Sequence, residues 1–167
     1  MTDNKNPKTL IVYYSHSGNT RFIAEAMAGA AGADLAELLP KKEINLSGAA
    51  YVGWGVRQLL RKDEREVEPI PYDIKDYDLI IVGTPVWTFT LTPPMRAFLK
   101  THDFSGKDVA VFCCNDGDKG HTLEDLAESM PGSRCIGKID FQSVLKSDPD
   151  SAAERAEQWV KDLLASR

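Results

Sequence analysis

Residues 9–20 read Thr9-Leu10-Ile11-Val12-Tyr13-Tyr14-Ser15-His16-Ser17-Gly18-Asn19-Thr20, "TLIVYYSHSGNT". Residues 9–14 form a short, nearly all-apolar run of β-formers, which suits a strand covered on both faces. Phe22, Ile23, Ala26, Met27 and Ala30 follow at helical spacing and Gly32 closes them, so 19–31 predicts a helix. Between the two lies a hand-over crowded with hydroxyl and amide side chains. Whether this strand–loop–helix unit recurs decides the fold.

It does recur. Residues 34–38 alternate polar and apolar like a half-buried edge strand. "DLIIVG" at 78–83 and "KDVAVFCC" at 107–114 are buried strands, and 134–144 reads as the last one. A helix starts at Pro93 and runs over 93–99, with proline at its first position. Another covers 123–130, ended by Pro131-Gly132. A closing helix carries Ala152, Ala156, Trp159, Val160 and Leu163, with its cap near Asp150 or Ser151. Five strands alternating with helices predict a doubly wound parallel α/β sheet with right-handed crossovers. No repeat or linker interrupts it, so residues 1–167 are expected to form one domain with a polar tail at 1–8. The least regular part, 45–68, reads as a helix and a solvated loop, unless Tyr51 or Trp54 lines a site.

Composition narrows the function. The chain has 167 residues, 43% apolar and 27% charged, with net charge −5, which argues against a nucleic-acid surface. No apolar run approaches the ~20 residues that span a bilayer. A polar start without an apolar signal core, and three cysteines of which two are adjacent, point to the reducing cytoplasm. His16, His102 and His121 lack ligand spacing, so no metal site is expected. Cys113, Cys114 and Cys135 read as buried thiols without a catalytic role.

In such a sheet, ligands bind beyond the carboxyl ends of the strands where strand order reverses. The loops at 15–20, 84–90 and 114–121 are therefore the candidates. The first offers the hydroxyls of Ser15, Ser17 and Thr20, the Asn19 amide and N–H groups at a helix N-terminus, an arrangement that binds an anion. It holds no lysine or arginine, and the Gly-x-x-x-x-Gly-Lys-Ser/Thr pattern of nucleotide hydrolases is absent. Neutral donors alone suit a phosphate monoester that is held and not transferred; a well-capped turn is the bland alternative. In the second loop Trp87 and Phe89 either cover the core or stack on a flat ligand, and a neighbouring anion loop favours stacking by Trp87. In the third, Gly117 and Gly120 let backbone approach a ring, and Asn115 and Asp116 accept hydrogen bonds; a solvated turn is again the alternative.

These residues resemble the flavodoxin family over roughly 9–164. "SHSGNT" looks like its phosphate loop, "GTPVWTFTLTPPMRAFL" like its second flavin loop and following helix, and "VFCCNDGD" like its third. The resemblance implies strand order 2-1-3-4-5 with FMN between strands one and three, the flavodoxin placement by which the switch-point rule is itself illustrated. It further implies that Ser15, Ser17, Asn19 and Thr20, with the amides of His16 and Gly18, hold the FMN phosphate. Pro85, Val86, Trp87 and Thr88 would flank the ring with Trp87 stacked on it, and Cys114, Asn115, Asp116 and Gly117 would border its pyrimidine end. Many flavodoxins carry a glycine in the second loop whose peptide flips on reduction. Thr88 follows Trp87 here, and φ > 0 costs more for a β-branched residue, which implies weaker stabilisation of the one-electron-reduced flavin.

The resemblance implies an electron carrier in which FMN does the redox chemistry and no side chain is catalytic. Redox partners with basic docking surfaces fit the net charge, as does a monomer or weak dimer. A unit charge about 8 Å from the ring, at an effective dielectric of about 20, is worth about 2 kcal/mol, so Asp116 and Asp118 are candidate tuners of potential. Acids over 63–68 are candidates for steering a partner. The alternative is an FMN-dependent NAD(P)H:quinone reductase, which needs extra segments over the ring; 45–68 is the place for one. A phosphoacceptor domain lacks its acids after the first strand, and a Cys-x5-Arg phosphatase fails because Lys119 and Gly120 stand where arginine is required.

Overall fold

The computed structural model describes residues 7–42 and 66–167. Its strands are β1 (Thr9–Tyr13), β2 (Asp34–Glu37), β3 (Leu79–Trp87), β4 (Thr90–Leu91), β5 (Asp108–Asn115) and β6 (Arg134–Gln142). The helices are α1 (Asn19–Ala31), α2 (Pro93–Thr101), α3 (Thr122–Glu128) and α4 (Pro149–Ala165). The sheet runs β2-β1-β3-β5-β6 with every neighbour parallel, and β4 folds back antiparallel on β3. This is the expected doubly wound order of five strands, with β4 as an addition.

Period-two side-chain alternation builds two cores. Leu10, Val12, Ile80, Val82, Val109 and Val111 point to one face, where Met95, Phe98 and Leu99 of α2 and Leu123 and Leu126 of α3 cover them. Ile11, Tyr13, Leu79, Ile81, Ala110 and Phe112 point to the other, under Ile23, Ala24 and Met27 of α1 and Ala156, Val160 and Leu163 of α4. Each fully buried Leu, Ile or Val contributes about 1.5–3 kcal/mol. The spacing i, i+3, i+4, i+7 of Thr20, Ile23, Ala24 and Met27 is what turns one face of α1 inward. Gly83 pairs with Phe112, whose ring takes the space of a side chain: a Cβ on Gly83 would lie 2.0 Å from Phe112 Cζ.

Two boundaries differ from expectation. Residues 84–87, expected as loop, continue the strand. Thr84 and Pro85 still pair with Cys113 and Cys114, and Val86 and Trp87 then pair with Leu91 and Thr90. Pro85 sits where the partner strand changes, a position that tolerates a missing N–H. The last helix starts earlier: Asp148 accepts from Ser151 N–H at 3.1 Å, and Pro149 occupies its first turn. The readings for Tyr51, Trp54 and most of 45–68 lie outside the described residues; at the end of that stretch, Val67 bridges to Pro40. No helix among the described residues is long and apolar enough to cross a membrane.

Candidate functional site

At the end of β1 the chain turns through residues 15–18 into α1. Gly18 is the N-cap in a left-handed conformation, φ 92°, which glycine alone adopts without strain. The loop's side chains set one another. Ser15 Oγ accepts from Arg21 N–H at 3.2 Å, and Ser17 Oγ accepts from Asn19 Nδ2 at 2.9 Å. Each hydroxyl keeps its own hydrogen to donate elsewhere. The first-turn N–H groups of Asn19 and Thr20 have no intrahelical acceptor. Thr20 itself is buried near the Cys114 thiol.

The β3–β4 hairpin turns on Thr88 and Phe89, at φ 53° and 63°. Two positive angles are what a tight two-residue hairpin needs, yet neither residue favours them. Thr88 therefore holds φ > 0 already, where the sequence implied that reaching it would be costly. Three attachments fix the hairpin. Thr84 and Thr92 hydroxyls meet at 3.0 Å in the core, Thr90 Oγ1 donates to Asp125 at 2.5 Å, and His121 N–H donates to Phe89 O at 3.2 Å. Gly120 allows the last contact, because a Cβ there would fall 2.4 Å from Phe89 O. Trp87 is only 8% exposed, its ring met edge-on by Tyr14 (5.7 Å) and His16 (5.5 Å). Phe89, at the tip, is 57% exposed.

The third loop leaves β5. Asn115 Oδ1 accepts from Gly117 N–H at 3.1 Å, and Asp118 accepts from Gly120 N–H at 2.8 Å. Burial pushes the Cys114 and Cys113 thiols up to about 12, so both stay protonated near neutral pH. Cys135, expected to be buried with them, is instead exposed near the start of β6. Lys119 pairs with Asp140 at 2.9 Å, which raises its pKa.

A fourth element, unexpected from the sequence, joins the first loop to the third. In the turn at 143–147, Leu145 N–H donates to Asn19 Oδ1 at 3.0 Å and Ser143 N–H to Asn115 O at 2.8 Å. Lys146 Nζ lies 2.5 Å from Asp116 Oδ2. The turn reads in sequence as unremarkable surface, and only the α/β topology brings it here. Its one local signal is Ser143, a non-glycine at φ 49° that no sequence pattern marks.

The first three of these elements line a cavity of about 230 Å³. Nine of the fourteen residues singled out in the sequence line it: His16, Ser17 and Asn19 from the first loop, Pro85, Val86 and Trp87 from the second, and Cys114, Asn115 and Asp116 from the third. The other five do not line it. Ser15, Gly18 and Thr20 shape the loop, Thr88 forms the hairpin tip, and Gly117 sits exposed in its turn. The volume is below the roughly 300–1,000 Å³ of enclosed ligand sites, so a flat occupant keeps an edge in solvent. A separate recess of about 410 Å³ lies across the hairpin, lined by Phe89, Thr90, Arg96, His121, Asp125, Glu128 and Ser129.

Comparison with known proteins gives this geometry relatives. A family model described as Flavodoxin matches residues 8–161. Flavodoxin 1 of Salmonella typhimurium is 26% identical over 146 residues, covering 66% of this chain and 82% of its own. A solved structure from Bacteroides uniformis superposes with a TM-score of 0.75 at 23% identity, covering 94% of this chain and 99% of that one. A Lactobacillus acidophilus flavoprotein, solved in complex with FMN, gives a TM-score of 0.64 at 27% identity over 83% of this chain and 96% of its own.

Proposed function

Since this chain belongs to the flavodoxin family, we propose that it binds FMN in the cleft between the three loops and carries electrons between redox partners. One observation carries the reading: a single cavity that joins the neutral donors Ser17 and Asn19 at the N-terminus of α1 to a wall formed by Pro85, Val86 and the Trp87 indole. Bound FMN supplies the redox chemistry.

The chain's own residues bind and orient it. Ser15 and Ser17 turn their hydroxyl hydrogens to the phosphate, and the N-terminal amides of α1 and its dipole add to the attraction. Asn19 acts as a brace, since both ends of its amide are engaged by Leu145 and Ser17. Pro85, Val86 and Trp87 wall one side of the ring. Cys114 stays a neutral wall. Asn115, its oxygen held by Gly117, points amide hydrogens at a polar ring edge. The shallow cleft leaves part of the ring in solvent, which suits electron exchange with a partner. Residues 1–167 are read as one domain, working in a reducing cytoplasm that keeps its three cysteines free.

The test is a titration of the purified full chain with FMN, followed by absorption and flavin fluorescence. Saturable one-to-one binding with a perturbed flavin spectrum is expected; no binding at micromolar FMN would sink the cofactor assignment. NAD(P)H oxidation with a quinone acceptor separates the roles. A carrier shows negligible turnover, and rapid turnover would make the protein a reductase.

A further inference from the structure

Resting on the FMN reading, we propose that the rim of the cleft is a docking surface for a redox protein whose own contact face is apolar and uncharged. The net charge of −5 suggests a basic partner, but among the described residues the acids around the cleft mouth are largely compensated. Asp116 is matched by Lys146 at 2.5 Å and Asp140 by Lys119 at 2.9 Å. Arg155 adds a further cation above the Phe141 ring and donates to Asp140 O. Against these stand Asp118, held by Gly120 N–H, and Asp125 and Glu128 in the recess beside Phe89, where Arg96 offsets one of them. A mouth so compensated offers little field to steer a charged partner.

What the rim does display is apolar. Among the described residues the large hydrophobic side chains that stand exposed are Leu39, Phe89 and Leu145, and two of the three flank this cleft. Phe89 lies two residues beyond Trp87, and Leu145, 45% exposed, sits against Gly18 with its N–H on Asn19. Both are presented on rigid turns, Phe89 through Gly120 and His121, Leu145 through Asn19. The recess beside Phe89, about 410 Å³, has room for a partner's side chain. Arg96 lines it, and so does Asp125, which Thr90 holds in place. An aromatic ridge beside a pocket is the arrangement found at the energetic centres of interfaces.

The experiment uses the full chain loaded with FMN, reduced by dithionite and mixed with ferricyanide (a small anion) or cytochrome c (a basic haem protein). Each takes one electron from the reduced cofactor onto its ferric ion. Loading is verified first by absorption, so a failure to bind FMN counts against the cofactor assignment and is seen before docking is measured. Both rates are expected to change less than about threefold between about 20 and about 500 mM salt. Lys146→Gln, which bares Asp116, should slow ferricyanide and make the cytochrome c rate fall with salt. At high salt, Phe89→Ser and Leu145→Ser should each lower the ratio of the cytochrome c rate to the ferricyanide rate by about threefold or more. A wild-type cytochrome c rate that falls more than about threefold with salt overturns the proposal. An unchanged rate ratio in both serine variants overturns it as well.

Discussion

The two edges of the sheet treat polar groups in opposite ways. At the edge where the parallel strands begin, the Asp108 carboxylate is buried and gripped on both oxygens. Arg134 reaches it at 2.7 and 2.8 Å, and Arg167 at 3.0 Å from the far end of the chain. At the edge where the strands end, Ser15, Ser17 and Asn115 have one hydrogen bond each that aims them and capacity left over. All three non-glycine residues with positive φ among those described, Thr88, Phe89 and Ser143, also lie on this second edge. One edge closes its interactions and anchors the fold. The other keeps donors open and holds strained backbone, as binding sites commonly do.

The largest effect should come from breaking the anchored edge. Asp108→Asn removes a charge-assisted fork and leaves two guanidinium groups without their acceptor. Arg134 is largely exposed, so its share is screened, and a loss of about 2 kcal/mol is expected. In a chain of this length that lowers Tm by about 4–8 °C. The Arg134 hydrogen bonds, with the Arg167 charge, outweigh desolvation and hold the Asp108 carboxyl below the usual carboxylate range. With the folded pKa below the unfolded one, the stabilisation is complete above the unfolded value near pH 4 and disappears as pH falls through the folded value. Melts of wild type and variant should thus differ at pH 7 and converge in acid. FMN affinity should not move; a drop would show that the edges are coupled.

The next effect breaks the open edge alone. Asn19→Ala frees Leu145 N–H and unties Ser17, so both the phosphate loop and its link to the 143–147 turn loosen. FMN binding should weaken about tenfold, or about 1.4 kcal/mol, with Tm nearly unchanged because the groups released are solvent-accessible. Fluorescence titration and a melt on the same sample give both numbers. Equal losses in affinity and stability would mean that Asn19 is an anchor like Asp108.

The same contrast explains what could be read from the sequence. The strands, helices and their order were legible because burial on both faces writes itself as apolar runs, and helix packing as a 3.6-residue period. The three loops were legible because unusual residue types sit at strand ends. The 143–147 turn was not, since its part is played by backbone N–H groups and a lysine that any surface turn could carry. Nor was the pairing of Asp116 with Lys146, thirty residues apart, which removes most of the negative field expected at the ring. The hairpin was misread for a different reason. Thr84-Pro85 looks like punctuation, whereas pairing with β5 and then β4 carries the strand to Trp87.

The smallest effect concerns the strain itself. Thr88 sits at φ 53°, where a β-branched side chain crowds its own backbone, at a cost of order 1 kcal/mol. Asparagine tolerates this region and is favoured in tight hairpin turns. Thr88→Asn should therefore raise stability by about 0.5–1 kcal/mol, a Tm gain of about 1–4 °C. Combined with Asp108→Asn, the two changes should add, because they lie at opposite edges and share no partner. A gain that disappears once FMN is bound would place the relief in the ligand-free state alone, with the ligand already compensating the strain. If Thr88→Asn gives no gain in either state, the positive angle is not strained in solution, and the contrast between a relaxed edge and a strained one fails at its sharpest point.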